Sequence, residues 1–133
     1  MYIIICLDDN NGLAFNHRRQ SQDRIVAEDI RKTVGEKKLW ITDYSRKLFQ
    51  AVSNLEISEN PKEEAKEGEY VFQELETLDT GDEQIEQFII YRWNRVYPAD
   101  VSVEIGAEWK LTETEEFPGS SHEKITKEIY CRE

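Results

Sequence analysis

Three arginines and a histidine fall within ten positions, "FNHRRQSQDR" at 15–24, in a chain that otherwise carries 28 acidic residues and a formal net charge of -11. Guanidinium groups grip planar anions through paired N–H donors, so Arg18, Arg19 and Arg24 are candidates for a recess that takes a phosphate or carboxylate. The theme returns at "RWNRVY", 92–97. There Trp93 offers a ring that stacks on planar ligands, while Arg95 and Tyr97 offer donors beside it. The plainer use for these arginines is to pair with the surplus carboxylates and fasten the loop to the body.

The two histidines, His17 in the basic loop and His122 in "GSSHEK", suit general base and general acid for phosphodiester cleavage if the fold brings them together. Asp23 is the carboxylate candidate beside them. Ser120 and Ser121 lack the G-x-S-x-G elbow that presents a nucleophilic serine. Asp8 and Asp9 with Asp23 or Asp29 carry the oxygen donors of a magnesium site, but adjacent acids after a strand are ordinary turn residues. Cys6 and Cys131 have no second Cys or His at ligand spacing, so the expectation is no metal, no zinc and no cofactor.

The totals narrow the function classes. A sequence pI near 4.7 argues against broad nucleic-acid binding, because a phosphate backbone is held by a basic surface. The longest apolar run, "YIIICL", is far below the roughly 20 residues of a membrane helix and lacks the flanks of a signal peptide, so a cytoplasmic protein without a membrane partner is expected. Two cysteines in 133 residues point to reduced thiols, and the length fits a single domain over 1–133.

Positioning elements follow from the patterning. Residues 2–7 are apolar on both faces, which predicts a strand buried in mid-sheet. "DDNNG" turns the chain. Ser21 as N-cap, with Val26, Ile30 and Thr33 or Val34 at helical spacing, predicts an amphipathic helix over 21–34. "KLWIT" reads as a second strand, 43–52 as a short helix, "NLEIS" as a third strand, and "ENPKEEAKEGE" as a charged surface loop. "EYVFQEL" and "IEQFIIYRWNRV" follow as strands, then "VSVEI", "EWKLTETEEF" and "KITKEIYCRE", the last two joined through a type II turn at Pro118 and Gly119. Alternating β and α elements followed by strands alone predict an α/β fold: a mostly parallel central sheet with flanking helices and a C-terminal antiparallel hairpin.

That order resembles dihydrofolate reductase. The opening matches the family's D-x-N-G-x-I-G-x-x-N loop at Asp9, Asn11, Gly12 and Asn16. The end matches its G-D-T-x-F-P-E-I, W-x-L and E-x-x-Y-x-R close at Asp100, Glu104, Ile105, Trp109, Leu111, Tyr130 and Arg132. The resemblance implies the scaffold, while the departures count against the reaction. Where the family has a Gly-Gly pair for the dinucleotide pyrophosphate, this chain has Gln73 and Glu74. His17, Arg18, Arg19 and Gln20 replace the Leu-Pro-Trp folate loop, Val101 stands at the ligand-contacting threonine, and the pterin-binding helix carboxylate has only Asp23, Glu28 and Asp29 as offset counterparts. The sequence is also similar to short bacterial proteins that share "FNHRRQSQDR", "RWNRVYPAD" and "GSSHEKIT" and are often labelled ribonuclease Z. That enzyme holds two zinc ions through an H-x-H-x-D-H cluster and further histidines, against two histidines in this whole chain.

The expected function is therefore binding of a small phosphate- or carboxylate-bearing ligand, or an acidic partner, through Arg18, Arg19 and Arg24, with Arg95, Tyr97, Trp93 or His122 approaching from later elements. The alternatives are a phosphoester or RNA hydrolase using His17 and His122, and a diverged reductase.

Overall fold

The computed structural model describes residues 1–132. Ten strands and two α-helices are joined by a 3-10 helix, in the order β1 (Tyr2–Leu7), β2 (Gly12–Phe15), β3 (Arg18–Arg19), α1 (Arg24–Val34), β4 (Leu39–Ile41), the 3-10 helix (Asp43–Phe49), β5 (Leu55–Ile57), α2 (Pro61–Glu64), β6 (Tyr70–Phe72), β7 (Gln87–Arg92), β8 (Val101–Ser102), β9 (Trp109–Phe117) and β10 (Ile125–Arg132). Seven strands form the main sheet in the order β5-β4-β6-β1-β7-β10-β9, and β3-β2-β8 form a small second sheet. The main sheet is parallel from β5 through β7 and antiparallel at its β10–β9 end.

The apolar run of β1 explains its place. Ile4 packs into the core on one face with Val26 and Ile30 of α1, while Ile3 and Ile5 pack on the other with Leu13, Phe88 and Trp109. A strand flanked by parallel neighbours on both sides must be apolar on both faces. At one of the sheet's two edges, β9 carries Lys, Thr and Glu side chains into solvent, which discourages pairing with a further strand.

Several predicted boundaries move. Helix α1 starts at Arg24, not at 21, because its N-cap is Asp23, whose carboxylate accepts from the Ile25 and Val26 amides. The predicted helix over 43–52 is a 3-10 helix ending at Phe49, and the charged loop contains the short α2. The basic segment is a hairpin: Phe15 pairs with Arg18 across Asn16 and His17, whose φ angles are 51° and 60°. Such mirror-image turns match the twist of the strands they join. "VSVEI" contributes only Val101–Ser102, and to the second sheet. Gly119 is not at positive φ, so the expected type II turn is corrected. A Cβ there would lie 2.5 Å from Asp23 Oδ2, and the glycine admits that carboxylate. The last predicted strand reaches Arg132, with Glu133 outside the described residues. Among the described residues no helix is long and apolar enough to cross a membrane.

Candidate functional site

Asp23 accepts hydrogen bonds from six donors. Its Oδ1 takes the amides of Ile25, Val26 and Ser120 and the Ser120 hydroxyl, while Oδ2 takes the Ser121 amide and His122 Nδ1 at 2.8 and 2.9 Å. Burial alone would push its pKa up. The Ser120 amide, His122, and the Ser121 and Ile25 amides outweigh that and hold the carboxyl far below its ordinary range.

An ionised carboxylate only accepts, so the proton on the Asp23–His122 bond belongs to Nδ1, and in the neutral ring Nε2 presents a lone pair. Two hydroxyls face that lone pair: Ser21 Oγ at 3.2 Å and Tyr97 Oη at 3.0 Å. The imidazole lies flat on Trp93, centroids 4.6 Å apart at 20°. The ring is thus held by an acceptor on one edge, hydroxyls on the other and an indole on its face. Asp8 anchors the segment that supplies Tyr97. It is fully buried, and its carboxylate accepts the Asn10, Gly12 and Tyr97 amides and Gln20 Nε2.

Ser21 lies on a slot between α1, the 3-10 helix and the C-terminal ends of β1 and β6. Its lining includes Leu13, Val26, Ile30, Phe49, Phe72 and Trp93 together with Cys6. About 430 Å³ of space lies in the slot and at its open mouth together, and the centre of a water-sized sphere can occupy only about 30 Å³ of it. It is therefore narrow, with room for about two waters as it stands, and a flat ring would have to part its walls. Burial, and next the negative charge of Glu74, push the Cys6 thiol up and keep it un-ionised.

On the slot's lining Arg19 makes a two-pronged pair with Glu74, Nε to Oε2 at 2.7 Å and Nη2 to Oε1 at 3.0 Å, and Ser45 Oγ donates to Glu74 at 2.5 Å. The Arg19 guanidinium also sits over Tyr44, 4.4 Å from the ring centre. Gln20 Oε1 is buried on the same wall without a partner.

The structure thus gathers His122, Asp23, Trp93 and Tyr97, and leaves other predicted site residues apart. His17 is exposed at the hairpin tip, and it is not among the groups holding His122. Arg18, Arg24 and Arg95 are exposed and make no ion pair among the described residues, whereas Arg19 is committed to Glu74. Arg24 and Arg31 line a shallow depression that shares Ala27, Leu48 and Phe49 with the slot, with Glu28 between them. Of the other carboxylates considered on α1, Asp29 accepts from Tyr91 Oη and pairs with Lys127. Ser120 and Ser121 serve Asp23. Sequence reading missed Ser21, Gln20, Cys6, Arg31, Ser45 and the Arg19–Glu74 pair. Ser21 was legible only as a helix cap, and nothing local links it to a histidine 101 positions away.

Beside the slot, the C-terminal ends of β4 to β6 open onto a groove whose lining includes Asp43, Glu59, Glu63, Glu74 and Glu76 against one lysine, Lys62. Among the described residues no group of three or more His, Cys, Asp and Glu is placed to hold a metal ion.

Comparison with solved structures gives the fold. The chain superposes on a dihydrofolate reductase from Enterococcus faecalis, solved in complex with NADP(H) and RAB-propyl, with a TM-score of 0.64 over 98% of this chain and 95% of that one, at 9% sequence identity. No protein-family model and no curated protein matches the sequence.

Proposed function

We propose that this chain is a ligand-binding protein on a dihydrofolate reductase-like scaffold, and that its slot takes the flat apolar part of a small molecule whose carboxylate or phosphate reaches Arg24 and Arg31. One observation carries the reading: an apolar slot opens beside exposed arginines that make no ion pair among the described residues, in a chain with 28 acidic residues. Two guanidiniums against the single Glu28 make a local positive field on a negative surface, which admits a small anion and repels a polyanion. Arg19, spent on Glu74, orders the slot instead of binding the anion.

The neighbouring acidic groove disfavours a dinucleotide. A pyrophosphate there would face five carboxylate residues, and Glu74, where reductases keep glycine, is fixed in place by Arg19 and Ser45. Dinucleotide-dependent reduction of dihydrofolate is therefore not the proposed activity.

The test is thermal shift with benzoate and phenyl phosphate beside acetate and inorganic phosphate. The aromatic anions are expected to raise the melting temperature at millimolar concentration, following binding linkage. Arg24→Ala/Arg31→Ala should abolish the rise without lowering the starting temperature. Equal shifts from inorganic phosphate, or an undiminished shift in the double variant, would refute the reading.

A further inference from the structure

We propose that Ser21, His122 and Asp23 form an acyl-transfer site with Ser21 as nucleophile, acting on small carboxylic esters whose apolar part enters the slot. The inference rests on the slot as the binding place and is independent of the arginine rim.

The geometry carries it. Ser21 Oγ, His122 Nε2, His122 Nδ1 and Asp23 Oδ2 lie in one hydrogen-bonded line with steps of 3.2 and 2.9 Å. The roles are those of a serine–histidine–aspartate relay: a buried, ionised carboxylate fixes the tautomer, and the imidazole lone pair faces the hydroxyl. His122 and Asp23 are buried, while Ser21 is half-buried and lines the slot. The residue after a nucleophilic serine often supplies an oxyanion-hole amide. Here that residue is Gln22, which also lines the slot and whose amide donates to no acceptor among the described residues. The apolar walls lower the local dielectric and strengthen each of these interactions.

Ser21 Oγ attacks the ester carbonyl carbon, and its proton passes to His122 Nε2. The resulting alkoxide oxygen takes the Gln22 N–H. Collapse breaks the ester C–O bond, and the alcohol leaves with the proton from Nε2. Water then attacks the acyl-serine with His122 again taking the proton, and the carboxylic acid departs as Ser21 regains its hydrogen. No oxidant or metal enters the balance. Tyr97 shares the same lone pair and positions the ring, so Ser21 competes with it for the base.

Phenylmethanesulfonyl fluoride tests the nucleophile without knowledge of the natural ester. An Oγ–S bond forms, S–F breaks, fluoride leaves and the proton goes to Nε2. Intact mass and peptide mapping of the native chain should show one sulfonyl group on Ser21. It should be absent in Ser21→Ala and should form roughly a hundredfold faster than on Ser21 of the urea-unfolded chain, the low end of what a positioned base contributes. His122→Asn should erase that advantage. If that variant is unfolded by circular dichroism, the ratio of native to unfolded wild type decides alone. No adduct, an adduct on Tyr97 or another serine, or a Ser21 rate equal to that of the unfolded chain overturns the proposal. Labelling of Ser21 with no thermal shift from aromatic anions would refute the arginine rim and leave the nucleophile standing; the reverse result would do the opposite.

Discussion

Replacing Asp23 with asparagine separates the structural duty of this carboxylate from its electronic one. Asparagine caps a helix about as well as aspartate, and the carbonyl oxygen in the Oδ1 position still meets the Ile25, Val26 and Ser120 amides. In the Oδ2 position the new amide group faces two donors, the Ser121 amide and His122 Nδ1. The imidazole can answer by moving its proton to Nε2 and accepting at Nδ1, whereas the Ser121 amide is left unsatisfied. One orphaned donor and the lost charge-assisted bonds should cost about 2 kcal/mol, roughly 6–10 °C in melting temperature for a domain of this size. Asp23→Ala also removes the cap and should cost about 4 kcal/mol. The moved proton leaves Nε2 with no lone pair for Ser21, so sulfonylation of Asp23→Asn should fall to the rate of the unfolded chain although the protein is folded. Acid adds a third reading. The folded carboxyl titrates below its unfolded value, so its stabilisation is complete above about pH 4 and is lost as pH falls through the lowered folded value. The gap between wild type and Asp23→Asn should therefore narrow as the medium is acidified below about pH 4. Urea unfolding at several pH values measures it. A gap that widens in acid, or a variant as stable as wild type that labels at the wild-type rate, would refute the tautomer argument.

Tyr97→Phe removes the phenol that competes for Nε2 while Asp23 and Trp93 still hold the ring, so Ser21 should label at least as fast as in wild type, and a tenfold loss would refute that competition. Glu74→Gln weakens a two-pronged pair on the slot's lining and should cost about 1–3 kcal/mol in urea unfolding, because Arg19 is left poorly matched. Gly12→Ala puts a Cβ 2.7 Å from both Ala99 Cβ and Gln20 Nε2, an overpacking worth about 1–3 kcal/mol in melting. The un-ionised Cys6 thiol should react with a disulfide reagent near pH 8 more slowly than free cysteine, and unfolding in urea should remove the difference. Mixing the chain with NADPH and dihydrofolate should give no oxidation above a blank without protein.

The fold was legible where one pattern repeated along a segment. The doubly apolar β1, the spacing of Val26, Ile30 and Val34 on α1, and the long β9–β10 pair all announce themselves by composition. The basic hairpin did not, because β3 is two residues long and arginine carries no strand signal. The helix start was misread because serine and aspartate both cap, and the choice fell to a contact with Ser120 and Ser121 far along the chain. In the site, His122, Asp23, Trp93 and Tyr97 could be marked as reactive types, but their meeting depends on register between β7, the last hairpin and α1. The idea that arginines fasten the loop holds for Arg19 and fails for Arg18, Arg24 and Arg95, since pairing depends on which carboxylate the fold delivers.

The bond from Asp23 to His122 closes a loop of 99 positions. Closing a flexible loop of that size costs about 4 kcal/mol of chain entropy, repaid only once the final hairpin docks. During synthesis the first two members of the relay emerge long before the third, and the nascent chain carries Ser21 as an inert hydroxyl until nearly its last strand is laid down. The same separation acts in reverse: any opening that lifts the 118–123 turn from α1 disarms the serine before the sheet itself gives way. Hydrogen exchange at the Ser121 amide, whose acceptor is Asp23, would time that opening and should run faster than exchange at the amides of the β1–β7 ladder.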